Sequence, residues 1–219
     1  MKKTFIALAA ISSLSLGNQT FAQDEYENSN QTDFREKLMF GGKVGLNLSN
    51  VYDSKGEQFN ADSKFGLAVG AFVSIPIGKF LGFQPELLLS QKGFQATGML
   101  FNSSYSFTRT TTYIDVPLLF AVKPTEFITI LAGPQYSYLT KQKDVFGSSS
   151  TTIEQQTAFE NDNIRKNTLC FTAGVDFTLK HMVVSARAGW DIQNNNGNGT
   201  TTIPRYKNMW YQATIGYRL

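Results

Sequence analysis

Apolar and polar residues alternate one by one through eight stretches of this 219-residue chain. In the last, Met209–Leu219, one face carries Met209, Tyr211, Ala213, Ile215, Tyr217 and Leu219. The other carries Trp210, Gln212, Thr214, Gly216 and Arg218. Successive side chains of a strand point to opposite sides, so each stretch reads as a two-faced β-strand. The seven others span Leu38–Asn50, Lys64–Ile77, Phe80–Lys92, Thr108–Val122, Phe127–Leu139, Asn167–Leu179 and Met182–Gln193. Helical stripes at i, i+3, i+4 are absent, and an all-β fold is expected.

The connections alternate in length. Pro76–Lys79, Lys123–Glu126 and Lys180–His181 are short, whereas Val51–Ser63, Gly93–Phe107, Thr140–Lys166 and Asn194–Lys207 are long and polar. Short turns at one end and long loops at the other predict an antiparallel up-and-down barrel of the outer-membrane kind. Pro85, Pro117 and Pro134 fall inside the runs. Proline cannot donate to a ladder, so bulges or strand ends are expected there.

A soluble barrel turns its apolar face inward, and a membrane barrel turns it to lipid. Three features favour lipid. The less apolar face is rich in Gly, Ala, Ser and Thr and carries Lys43, Glu86, Asp115, Asp176, Arg187 and Arg218. Small residues relieve crowding in a narrow lumen, and three basic with three acidic groups can pair there. The apolar face carries aromatics near strand ends, as interfacial girdles require. Phe40, Phe83, Phe120, Phe177 and Tyr217 lie toward the short turns, and Phe65, Tyr138, Trp190 and Tyr211 toward the long loops. The chain also finishes on a strand with Tyr217 and Leu219 on the apolar face.

The N-terminus changes the charge picture. Lys2 and Lys3, the mostly apolar Phe5–Leu16 and the small-x-small ending Thr20-Phe21-Ala22 predict a signal peptide over 1–22, cleaved before Gln23. A polar leader over 23–37 and a barrel domain over 38–219 are expected to follow. Without Lys2 and Lys3, the 20 Lys+Arg fall to 18 against 17 Asp+Glu, so no nucleic-acid partner is implied. Cys170 and His181 are the single cysteine and histidine. They exclude an intrachain disulfide and a multi-His metal site, and no cofactor is expected.

Four motifs in order carry a resemblance. They are Gln84-Pro85-Glu86-Leu87-Leu88-Leu89-Ser90-Gln91-Lys92-Gly93, Tyr113-Ile114-Asp115-Val116-Pro117-Leu118-Leu119, Ala132-Gly133-Pro134-Gln135-Tyr136 and Gly216-Tyr217-Arg218-Leu219. Together they resemble the small porin-like outer-membrane β-barrel domain proteins of Gram-negative bacteria. The resemblance implies an eight-stranded transmembrane barrel with no shared catalytic site.

An eight-stranded lumen is just wide enough to be filled by side chains. Phe72, Leu88, Leu119 and Trp210 add bulk beside the expected ion pairs, so no wide channel is predicted. His181 falls in a short turn away from the long loops. Glu86 and Asp115 have basic partners that favour structural pairing over catalysis, and Cys170 reads as a small buried residue. The expectation is a monomeric, non-enzymatic outer-membrane protein with a structural or surface-interaction role. Its partners are outer-membrane lipid and lipopolysaccharide, with its loops available to an extracellular ligand. A narrow-pore transporter and a soluble periplasmic ligand-binding barrel are the alternatives.

Overall fold

Period-two alternation becomes a sheet closed on itself. The computed structural model describes residues 34–52, 60–100, 103–148, 152–157, 164–197 and 206–219. The predicted signal peptide and residues 23–33 of the leader lie outside them, as do Glu160 and Asp162 of the longest predicted loop. The strands are β1 (Met39–Tyr52), β2 (Asn60–Pro76), β3 (Leu81–Leu100), β4 (Ser103–Val122) and β5 (Ile128–Ser148). They continue with β6 (Thr152–Thr157), β7 (Asn167–Leu179), β8 (Met182–Asp191) and β9 (Lys207–Arg218).

All pairings are antiparallel. β1 pairs with β9, β4 with β5 and β5 with β7, which closes an eight-stranded barrel. β6 stands outside the ring as a short addition to the far end of β5. Closure removes the unpaired edges that an open sheet would present. Phe40 and Leu219 exchange backbone hydrogen bonds across the β1–β9 seam.

The barrel is apolar outside and polar within. Val44, Leu67, Leu87, Phe120, Ile130, Phe177, Ile215 and many others are exposed, whereas Lys43, Asn47, Glu86, Asp115, Gln135, Asp176, Arg187 and Gln212 are buried. An apolar girdle of this extent in water would far exceed the patches soluble proteins expose; against hydrocarbon it is favourable. The soluble alternative is therefore set aside. From Met209 to Tyr217 the strand covers ~27 Å, or ~21 Å along the barrel axis at a tilt of ~40°, close to the ~25 Å apolar band of membrane barrels. All nine predicted interface aromatics face outward, Phe65 being 68% exposed and Phe83 half-buried.

Two long connections differ from expectation. Residues 93–107 are mostly strand, because β3 and β4 continue past the band and pair from Gly93↔Thr110 to Leu100↔Ser103. β5 likewise continues to Ser148, where a loop from Thr140 was expected. Above Lys92 the polarity pattern inverts: Phe94 and Ala96 are buried inside while Gln95 and Thr97 are exposed. Lipid rewards an apolar exterior only within the band; above it water surrounds the wall, and the usual apolar-in arrangement returns.

The prolines also depart from expectation, because none sits at a bulge. The register of β3 with β4 is the same on both sides of Pro85, which pairs with Leu118. The β2–β3 ladder instead skips between Phe72↔Glu86 and Ile75↔Phe83. Pro117 and Pro134 pair with Gln135 and Phe171 while the ladder on their other side is interrupted. Each missing N–H thus leaves a local gap in one ladder without shifting the strands. The register shifts lie elsewhere, between Ser63 and Ala68 and at Thr112/Tyr113.

Candidate functional site

Among the described residues, chemistry-bearing side chains converge in the lumen, and they stack in layers. Nearest the short turns, Lys43 from β1, Glu86 from β3, and Asp176 and Arg187 from β7 and β8 form one network. The Lys43 ammonium pairs with Glu86 Oε2. Arg187 donates to both Asp176 oxygens and, at 3.3 Å, to Glu86 Oε1. Gln84 Nε2 bridges the acids, at 2.9 Å to Glu86 and 3.3 Å to Asp176. Two cations and two carboxylates balance, and multiple hydrogen bonds offset the cost of burying charge. Phe72, Leu119 and Leu131 fill the rest of this layer.

The middle layer is neutral. Gln212 donates to Asn47, which donates to Ser90 and to the Gln91 carbonyl. Across the lumen, Thr172 donates to Gln135, whose amide donates to Ser137.

The third layer centres on Lys92. Its ammonium lies 3.0 Å from Asp115 Oδ2, 3.6 Å from the Trp210 ring centroid and 4.8 Å from that of Tyr113. Desolvated cation–π contacts of this kind are worth ~2 kcal/mol or more. Asp191 lies beside them, accepting from the Asn208 backbone N–H and amide and from the Cys170 thiol. Trp210 has room because Gly189 faces it: a Cβ there would lie 2.3 Å from the indole.

Both mouths are covered. At the long-loop end Val51, Phe94, Ala96 and Tyr206 form an apolar cluster with Ala61 and Phe107 against it. Arg109 binds Asp144 through two donors and reaches Tyr206. Burial disfavours the guanidinium charge there, but Tyr206 and Asp144 outweigh it and raise its pKa. At the short-turn end the last leader residues, Phe34–Glu36, form a 3₁₀ turn. Lys123 donates to the Arg35 carbonyl, Arg35 pairs with Glu126 at 3.9 Å, and Phe34 packs edge-on against His181. A cavity of about 20 Å³ remains behind them, room for about one water.

Of the six residues predicted to form one network, the structure joins Lys43, Glu86, Asp176 and Arg187. Asp115 belongs to the separate Lys92 layer. Arg218 is a correction: its guanidinium lies over the Phe34 ring and donates to the Lys180 carbonyl at the mouth, below the network. Lys92 and Asp191 were missed as charge partners. His181 sits exposed in the β7–β8 turn with Nδ1 2.9 Å from the Arg218 carbonyl, and Cys170 is buried. Among the described residues, no group of three or more His, Cys, Asp or Glu is placed to hold a metal.

The sequence model of the outer membrane protein beta-barrel domain family matches residues 21–195. The chain belongs to that family. Its place is therefore the outer membrane, with the apolar wall in lipid. Among solved structures, this family member is similar to Ail, the attachment invasion locus protein of Yersinia pestis, at 14% identity and TM-score 0.43, covering 83% of this chain and 98% of that one. Neisserial surface protein A gives 9% identity and TM-score 0.47, covering 81% and 96%. OprG from Pseudomonas aeruginosa gives 13% and 0.36, covering 83% and 94%. No curated protein matches the chain.

Proposed function

We propose that this outer-membrane barrel is a non-enzymatic monomer that acts through its surface rather than its lumen. The long-loop end faces outside the cell, lipopolysaccharide surrounds the wall on that side, and the extended strands carry the loops to an extracellular ligand. The observation that carries this reading is the filled lumen. The Lys43–Glu86–Arg187–Asp176 network and the Trp210–Lys92 layer span it, and side chains cover both mouths. A barrel held shut at several levels has only its exterior with which to meet a partner.

Two measurements test the reading together. An epitope tag within residues 53–59 should bind antibody on intact cells, and the purified barrel in a planar bilayer should show no stable unit conductance. Antibody binding only after permeabilisation refutes the orientation, and a stable conductance restores the narrow-pore reading. N-terminal sequencing of the membrane-inserted protein should begin at Gln23.

A further inference from the structure

On the outer wall at the long-loop end, β8 and β9 flank an open groove of about 490 Å³. That volume is in the range of sites that hold small ligands, ~300–1,000 Å³. Its floor is low because Ala188, the outward-facing residue there, carries only a methyl group, and Trp190, Met209 and Tyr211 stand around it. Tyr52 fixes one end. It starts on β1 opposite Lys207 of β9, yet its hydroxyl donates to the Asp191 carbonyl of β8 at 2.8 Å. The phenol is thus tied across β9 and held from folding into the groove. The Lys207 ammonium lies 6.0 Å over the Tyr52 ring, at the same end.

We propose that this groove holds an acyl chain of an anionic outer-leaflet lipid whose phosphate meets Lys207. The lining is almost wholly apolar and suits hydrocarbon, while the cation stands where the wall leaves the lipid band. Trp190 and Tyr211 place the groove at the depth where chains meet headgroups. An occupant that is apolar along its length and anionic at one end satisfies both features; a wholly apolar protein segment would leave Lys207 without its complement. The outer-leaflet placement rests on the outward-facing long-loop end proposed above. The test of the groove uses symmetric bilayers, so its outcome is independent of which end faces outside.

The chain has two tryptophans, Trp190 in the groove and Trp210 in the lumen. Trp210→Phe leaves Trp190 as the only indole reporter. The folded variant is placed in phosphatidylcholine vesicles containing either brominated phosphatidylglycerol or brominated phosphatidylcholine at equal fractions. Trp190 quenching should show about five-fold preference for the anionic lipid, the ratio one interfacial cation provides. Lys207→Glu should remove the preference, and Ala188→Leu, which fills the floor, should do the same. Equal quenching by both lipids, or a preference that survives either substitution, overturns the proposal. If Trp210→Phe does not fold, the unaltered chain is compared with Trp190→Phe, which should lose the composition-dependent quenching.

Discussion

Truncating Arg187 to alanine strands Asp176 in the lumen. Glu86 keeps Lys43 and the Gln84 amide, but the cation that holds both Asp176 oxygens is gone, and Gln84 at 3.3 Å remains. Removing one partner of a buried ion pair costs ~3–5 kcal/mol because the other charge stays desolvated. Two features pull toward the lower limit. Arg187 Nε has no hydrogen-bond partner among the described residues, so its burial cost is recovered. The vacated volume also admits water. The expected loss is about 3 kcal/mol, read as the shift in reversible guanidinium unfolding in lipid vesicles. Adding Asp176→Asn should recover at least ~1.5 kcal/mol, within the coupling measured for contacting pairs. Arg187→Lys should lie between, since a point charge cannot satisfy two carboxylates as a fork does. A loss below ~1 kcal/mol for Arg187→Ala, or additive single and double variants, refutes the paired network.

Lys92→Met should destabilise by about 3 kcal/mol because Asp115 is left buried without its cation, and Asp115→Leu in the same chain should restore most of this; equal unfolding curves for Lys92→Met and the unaltered protein contradict the pairing. Gly189→Val should cost ~1–3 kcal/mol through collision with the Trp210 ring, with a changed near-ultraviolet circular dichroism signal from the indole. Val44→Arg, midway along the lipid-facing side of β1, should cost ~2–4 kcal/mol in a bilayer. A neutral result there means that this face does not meet hydrocarbon.

The faces of the wall were legible in the sequence because lipid outside and packed polar groups inside both demand period two. Which charges share a height was less legible. Parity correctly turns Arg218 inward, but it sits at the end of β9 opposite Gly41, where the lumen opens and Phe34 lies within reach. Lys92 lay at the end of its predicted strand because the pattern inverts just beyond it: Phe94 points inward where the band ends and water begins. The shift at Thr112/Tyr113 hides more. Thr140 is the extra residue on β5, so buried positions pass from odd, as at Ser137 and Leu139, to even, as at Gln142. A bulge of one residue exchanges the two faces, and no local composition announces it. The groove at Ala188 and the cover formed by Phe34 join residues far apart in the chain, so neither leaves a motif.

Spin labels placed singly from residue 211 to 217, in a Cys170→Ala background reconstituted in bilayers, test the inside-out wall most directly. High oxygen accessibility is expected at 211, 213, 215 and 217, and low accessibility to both oxygen and a water-soluble relaxation agent at 212, 214 and 216. High access of the water-soluble agent at the even positions contradicts a filled lumen, and oxygen access without alternation contradicts the lipid-facing wall.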